Sequence, residues 1–175
     1  LILVSWLYFH KTVLGPLSNY HTNDFKHMYL AGKLIRFHQN PYDENTFLRA
    51  AGLEGFQSIN PFVYPIFTAI LFVLLSLFSF ASAKILWFIL NHLFMLTGNL
   101  LLCRTFSPRS SLASFILLTS ILSLSHPFFR SLTAGQLNCL LYLIYAGILC
   151  SVHRQKFQQT AILIAVGGMI KLLPF

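Results

Sequence analysis

The stretch FVYPIFTAILFVLLSLFSFASA, residues 62–83, decides how this chain is to be read. It carries no Asp, Glu, Lys or Arg, and it exceeds the ~18 residues that mark a candidate transmembrane helix. Three further runs share that property: residues 85–103, interrupted only by His92, then 110–129, then 131–152. A soluble core does not need four such runs. With 56% hydrophobic and 9% charged residues, the chain also falls far from soluble proteins, of which about a quarter is charged. The expected fold class is an all-α polytopic membrane protein.

Working outward, the apolar segments to be drawn are 62–80, 84–103, 111–127, 137–152 and 160 onward, about five in all. Short polar connections at 82–84, 104–109, 130–136 and 153–159 separate them. On the other side lies a connection of about fifty residues, too long to be structureless. The apolar start, residues 1–9, lacks the basic flank and small-residue cleavage site of a signal peptide. It reads as the end of a first transmembrane helix, covering 1–14, with 15–61 an extracytoplasmic loop and 62–175 the membrane segments. All belong to a single membrane-embedded domain, expected to be the N-terminal part of a longer protein.

The net charge of +8 does not indicate nucleic acid, because the basic residues are scattered over several short loops and form no stripe. Short basic loops are how multispanning proteins set their orientation. Cys103, Cys139 and Cys150 lie in apolar runs without a CxxC pair and read as buried structural thiols. The 18 phenylalanines are packing mass.

The carboxylates, in contrast, are concentrated. Asp24, Asp43, Glu44 and Glu54 are all four of them, and all lie in the long loop. From residue 25, apolar positions recur at Phe25, Met28, Tyr29, Gly32, Leu34 and Ile35, with Lys26, Lys33 and Arg36 gathered on another side. This predicts an amphipathic helix of the kind that lies at a membrane interface. Asn23 or Asp24 would cap it, and Asn40-Pro41 would end it, because the residue before proline avoids the helical region. A second short helix is expected from Glu44 to Ala51, stopping at Gly52.

Asp24 is the first candidate for chemistry. It suits a helix cap, and it also suits a general base in a chain with few other carboxylates; the two roles can coexist. His21, Asp24 and His27, three apart, do not make a metal site, since the helix begins only near Asp24 and ligation needs three or four converging ligands. Asn40-Pro41-Tyr42-Asp43 is a turn in which Asn and Asp satisfy backbone amides. Gln136 and Asn138 suit either interhelical hydrogen bonding or a sugar hydroxyl, which needs groups that both donate and accept. Lys171 lies eleven residues beyond Thr160, about 17 Å along a helix. A lysine at that depth either snorkels or holds an anion. Orientation carries a conflict. Arg104, Arg109, Arg154 and Lys156 belong in the cytoplasm, yet two full spans after an outer-facing loop would put Arg104 outside. A broken or half-crossing segment between residues 62 and 103 would reconcile the two.

Taken in order, Asp24-Phe25 with Tyr29 and Ala31, Asn40-Pro41-Tyr42, Tyr64-Pro65, Trp87, Pro127, Gly135-Gln136 with Asn138, and Gly167 or Gly168 with Lys171 and Pro174 resemble glycosyltransferase family 87. The resemblance runs from about residue 23 to 174; it departs where Ile66, instead of a second proline, follows Pro65. It implies a GT-C-like N-terminal module, with an interfacial helical loop after the first transmembrane helix, in a bacterial plasma membrane with an extracytoplasmic active site. It also implies a polyprenyl-phosphate sugar donor, with mannose the expected hexose, a glycan or glycolipid acceptor, and transfer with inversion. Asp24 would then be the catalytic base. Lys171, helped by Arg130, would bind the donor phosphate, and Tyr29, Asn40, Tyr42, Tyr64, Gln136 and Asn138 would contact substrate. A monophosphate leaving group needs no divalent metal, so no cofactor is expected. Membrane lipid is a partner; nucleic acid is not. The alternative is a multi-pass transporter, which would also place ionisable residues and broken helices in the membrane. Against it stand the absence of carboxylates from the spans and of a visible repeat. A purely structural subunit would leave Lys171 and the acid-bearing loop without a purpose.

Overall fold

In a computed structural model, which describes residues 6, 9–14, 23–56 and 59–171, the protein is helical with no strand among the described residues. Among the described residues, a π-helical turn, Phe9–Leu14, precedes eight α-helices: α1 (Asn23–Arg36), α2 (Glu44–Leu53), α3 (Ile66–Phe72), α4 (Phe80–Phe106), α5 (Ser111–Leu124), α6 (His126–Ala134), α7 (Asn138–His153) and α8 (Phe157–Ile170). Most of residues 1–9, His21 and Pro174 lie outside the described residues. The chain divides into two compact units: residues 22–87 with 166–175, and residues 1–21 with 88–165. The first holds Asp24 and the second Asn138.

In the Asp24 unit, α1 forms where the apolar spacing predicts it, and its buried side is wider than the predicted stripe. Phe25, Met28, Leu30 and Ala31 are fully buried, with Tyr29 and Leu34 nearly so. The helix packs on α2, α3 and the 3-10 turn Leu75–Leu77. Its apolar face is therefore covered by protein. Leu30, Ala31, Leu34, Phe47, Ala51, Phe62 and Ala69 form the core of this unit.

The end of α1 differs from expectation. His38 adopts a left-handed conformation (φ 57°). The N–H groups of His38 and Gln39 bond to the carbonyls of Ile35 (2.9 Å) and Leu34 (2.9 Å), which closes the helix as a Schellman motif before Asn40-Pro41 is reached. The same motif moves the end of α2 from Gly52 to Gly55 (φ 71°), where the Gly55 and Phe56 N–H groups bond to Gly52 and Ala51. Asp43 begins α2 by accepting from the Thr46 N–H at 3.1 Å and from the Thr46 hydroxyl.

The segment 62–80, expected to cross the membrane, does not form one helix. α3 has seven residues and is followed by a bend, the 3-10 turn and then α4. No proline causes this break; tertiary contacts stabilise it. The carbonyls of Ser76 and Phe78, freed from helical bonding, accept from the Arg36 guanidinium and from the Tyr29 hydroxyl (2.9 Å). Gly32 lets α1 approach: a Cβ there would lie 2.5 Å from the Phe72 carbonyl carbon and 2.9 Å from the Val73 nitrogen. The Thr68 hydroxyl donates to the Ile170 carbonyl and joins α3 to the end of α8.

In the Asn138 unit, α4, α5 and α7 meet around Asn99. Its amide donates to the Thr119 hydroxyl (2.9 Å), and its carbonyl accepts from the Tyr142 hydroxyl (2.5 Å). The Tyr142 ring reaches Asn99 by lying over Gly98, where a Cβ would be 2.7 Å from Cε1. The predicted segment 111–127 ends at Leu124; at Ser125 the chain turns by 70° into α6, with Pro127 in the first turn, where its missing N–H costs nothing. Residues 130–134, read from the sequence as a connection, are thus helical.

Only α4, with 27 residues, is long and apolar enough by itself to cross a membrane among the described residues. The bent α5–α6 pair passes the same test jointly, and α7 and α8 are shorter apolar helices.

Candidate active site

The four carboxylates have different surroundings. Asp43 caps α2, and Glu54 is paired with Lys33, a partly exposed ion pair worth little net stability. Glu44 is exposed in the first turn of α2. Asp24 is half-buried in the first turn of α1, where the positive end of the helix dipole favours an anion. Since α1 begins at Asn23, Asp24 sits inside the helix and not at its cap.

Tyr64 is half-buried in the same unit, close enough for the Asp24 charge to act on its phenol. The Tyr64 carbonyl accepts from the Tyr42 hydroxyl at 2.7 Å. Tyr42 is itself positioned by the Asn40 side chain, which accepts the Tyr42 N–H at 3.0 Å in the Asx turn that the motif predicts. Phe62 lies between the two tyrosines, its ring centroid 5.5 Å from Tyr42 and 5.9 Å from Tyr64. Asn40, Tyr42 and Tyr64 are thus brought together on an aromatic floor in the unit that holds Asp24. Tyr29 is engaged differently: it is 2% exposed and its hydroxyl supports the break at Phe78. Burial raises its phenol, Glu54 adds to the shift, and Lys33 and Arg36 oppose it.

Lys171 is half-buried in the same unit as Asp24. Its N–H bonds to the Gly167 carbonyl at 3.1 Å, and it follows Ile170, the residue tied to Thr68. Because α8 begins at Phe157, Lys171 lies about 21 Å along the helix axis, deeper than a start at Thr160 implies. At that end of a helix a cation is favoured.

The second unit brings Gln136 and Asn138 together. Gly135 closes α6 in the left-handed conformation (φ 68°), its N–H on Leu132 and that of Gln136 on Ser131. This turn lets the Asn138 amide donate to Gln136 Oε1 (2.7 Å) and to the Ser131 hydroxyl (2.9 Å). Ser131 in turn donates to the Pro127 carbonyl at 2.9 Å. Asn138 and Ser131 line a cavity of about 230 Å³ with Met95, Ser125, Phe128 and Tyr142. Arg130 is exposed on α6 in this unit. Sequence reasoning missed Ser131 and the Asn99–Tyr142 pair. The signal for the pair was an asparagine inside an apolar run, where polar groups seek partners on other helices.

Among the described residues, no three His, Cys, Asp or Glu side chains converge to hold a metal ion. The family model of glycosyltransferase family 87 matches residues 62–175. The chain belongs to glycosyltransferase family 87. No curated protein and no solved structure matches it. In this family 87 chain the matched residues include the break after α3, the Ser131–Gln136–Asn138 cluster and Lys171, while α1 and Asp24 precede them. It is a glycosyltransferase, acting on a donor and an acceptor, and α4 together with this membership suggests membrane association.

Proposed function

We propose that the protein transfers a hexose, mannose in the simplest case, from a polyprenyl-phosphate sugar to a hydroxyl of a glycan or glycolipid, with inversion at the anomeric carbon. It does so as a multi-pass protein of GT-C architecture, with its site on the extracytoplasmic face of a bacterial plasma membrane. One observation carries this reading: Asp24 is half-buried in the first turn of α1, in the same compact unit as Lys171, whereas Asp43 caps α2, Glu54 is paired with Lys33 and Glu44 is exposed. A base and a phosphate-binding cation in one unit are what a single displacement from a lipid monophosphate requires.

In this scheme Asp24 accepts the proton of the acceptor hydroxyl as its oxygen attacks the anomeric carbon. The bond from that carbon to the phosphate oxygen breaks, and the charge developing on the lipid phosphate is met by the Lys171 ammonium. Tyr42 and Tyr64 offer phenols and ring faces to the sugar from a floor that Asn40 holds in place. Tyr29 acts through the break it supports. In the other unit, Gln136 and Asn138, with Ser131, offer donor and acceptor groups of the kind sugar hydroxyls need, and Arg130 offers a cation suited to phosphate. No metal is assigned to the step.

The test is full-length protein in nanodiscs, given radiolabelled polyprenyl-phosphate mannose and a panel of glycan and glycolipid acceptors. The expected product carries mannose in the anomeric configuration opposite to that of the donor. Retention of configuration, or transfer from a nucleotide sugar alone, would overturn the proposal.

A further inference from the structure

Residues 62–79 are apolar enough to be taken for a membrane span, yet they are built differently. Laid end to end, the seven residues of α3 and three of the 3-10 turn reach about 16 Å, half the ~30 Å of a hydrocarbon core. From Val63 to Phe78 their outward side is nonetheless largely apolar: Val63 is 81% exposed, Leu74 71%, Leu77 62%, and Ile70 and Phe78 about half. No charged residue occurs between Phe62 and Ala83.

The inward side shows unusual care with polar groups. The break frees carbonyls at Ser76 and Phe78, and α1 supplies a donor to each, Arg36 and Tyr29. The Ser76 hydroxyl donates to the Val73 carbonyl at 2.7 Å, and the buried Thr68 hydroxyl donates to Ile170. Buried carbonyls need donors in any fold, and at the rim of such a break water supplies the rest. In hydrocarbon no water is at hand, so every freed group must find its donor within the protein, as these do. The segment also runs directly into α4, whose own exposed positions Ile85, Ile89 and Leu93 are apolar.

We propose that residues 62–79 dip into one leaflet and return to the face they entered from. Bilayer acyl chains cover the outward face of Val63, Ile70, Leu74 and Leu77, and α1 supports the segment from the protein side. α4 is then the first complete crossing after the Asp24 loop. Arg104 and Arg109 at its far end fall on the opposite side from Asp24, as the positive-inside rule requires of an outer-facing loop. The bent α5–α6 pair returns, α7 carries Arg154 and Lys156 back to the side of Arg104, and α8 brings Lys171 to the side of Asp24. A full crossing by residues 62–79 would instead put Arg104, Arg109, Arg154 and Lys156 on the side of Asp24 and Lys171 on the other. The proposal rests on the multi-pass reading and is independent of the chemistry assigned to the site.

The test uses the full-length protein in cells, with Cys103, Cys139 and Cys150 replaced by alanine and single cysteines introduced as Asn45→Cys, Ser110→Cys or Gln155→Cys. With a membrane-impermeant maleimide, Asn45→Cys should label in intact cells, and Ser110→Cys and Gln155→Cys only after permeabilisation. Labelling of Asn45→Cys and Ser110→Cys from the same side means a complete crossing by 62–79 and overturns the proposal. Labelling of Ser110→Cys and Gln155→Cys from different sides removes the multi-pass count, and the proposal with it. In proteoliposomes, a bimane on Leu74→Cys should lose at least half its fluorescence to lipids brominated on their acyl chains, while one on Asn45→Cys loses none. Equal quenching at the two positions excludes acyl chains as the partner.

Discussion

Replacing Gly32 by alanine sets two effects of opposite sign against each other. Gly32 is interior to α1, and there alanine is favoured over glycine by about 0.8–1.0 kcal/mol of helix propensity. The added Cβ, however, would fall 2.5 Å from Phe72 C, 2.6 Å from Phe72 O and 2.9 Å from Val73 N. These are backbone atoms at the end of α3, so no rotamer change relieves the contact. Overpacking of this kind costs about 1–3 kcal/mol. α1 cannot retreat freely either, since Arg36 and Tyr29 hold Ser76 and Phe78 from the same helix. With three backbone atoms within 2.9 Å the cost falls in the upper part of that range, about 2–3 kcal/mol, so the overpacking term wins by about 1–2 kcal/mol, a fall in Tm of about 2–8 °C for a chain of this size. Gly52 is the control: it lies in α2 with nothing within 4 Å of its Cβ position, so Gly52→Ala should hold or raise Tm by the propensity gain alone. Thermal unfolding of both variants in the same detergent reads the comparison. If Gly32→Ala rises with Gly52→Ala, the close approach of α1 to the break is wrong, and so is the supporting role of Arg36 and Tyr29.

Three further outcomes follow from the described contacts. The Thr46 hydroxyl and then the Thr46 N–H hold the Asp43 carboxyl below its ordinary 3.8; because the folded pKa is the depressed one, the support of α2 is complete above about pH 4 and is lost as pH falls through the lower folded value. Amide exchange in α2, compared between wild type and Asp43→Ala at each pH, should differ at pH 6 and converge near pH 2, and a constant difference would reject the cap. Tyr142→Phe removes the donor to Asn99 Oδ1 and should cost about 0.6–1.7 kcal/mol, the range of interhelical bonds in membranes, read as a lower Tm; an unchanged Tm removes the network from the stability of that unit. Lys171→Met should insert normally, relieving a cost of about 2.5–3.5 kcal/mol for a lysine at depth, yet weaken binding of polyprenyl-phosphate mannose and slow transfer at least a hundredfold, with Lys171→Arg recovering part because a planar fork does not replace a compact charge. Donor binding and turnover like wild type in Lys171→Met would place the phosphate site elsewhere.

What was legible in the sequence was what depends on local periodicity. α1 followed from the spacing of Phe25, Met28, Tyr29 and Gly32, and α7 from an uncharged run ending in basic residues. The helix ends were less legible, because a left-handed histidine at position 38 carries no signal that glycine would carry, and Gly55 competed with Gly52. The break in 62–80 was invisible to hydropathy, which counts Leu74, Leu75 and Leu77 alike as apolar whether or not they continue a helix. Its cause lies some 40–49 residues upstream, in Arg36 and Tyr29. For the same reason Tyr29, grouped by motif with substrate-binding residues, has its hydroxyl on a backbone carbonyl. Asp24 was legible because carboxylates are scarce here. That Tyr64, already marked by motif, lies in its reach required the fold, as did Ser131, which no motif marked and which shares a cavity wall with Asn138.

The central claim is that Asp24 takes the acceptor's proton, and a single pair of rates tests it. Full-length wild type and Asp24→Asn are to be compared in nanodiscs with saturating polyprenyl-phosphate mannose and an acceptor on which wild type is active, after equal insertion and equal Tm have been established. An amide keeps the shape of the carboxylate but cannot accept the proton, so turnover should fall by about 10²–10⁴-fold while donor binding is retained. Turnover of the Asn variant within threefold of wild type would contradict the account and leave family 87 membership standing without Asp24 as its base.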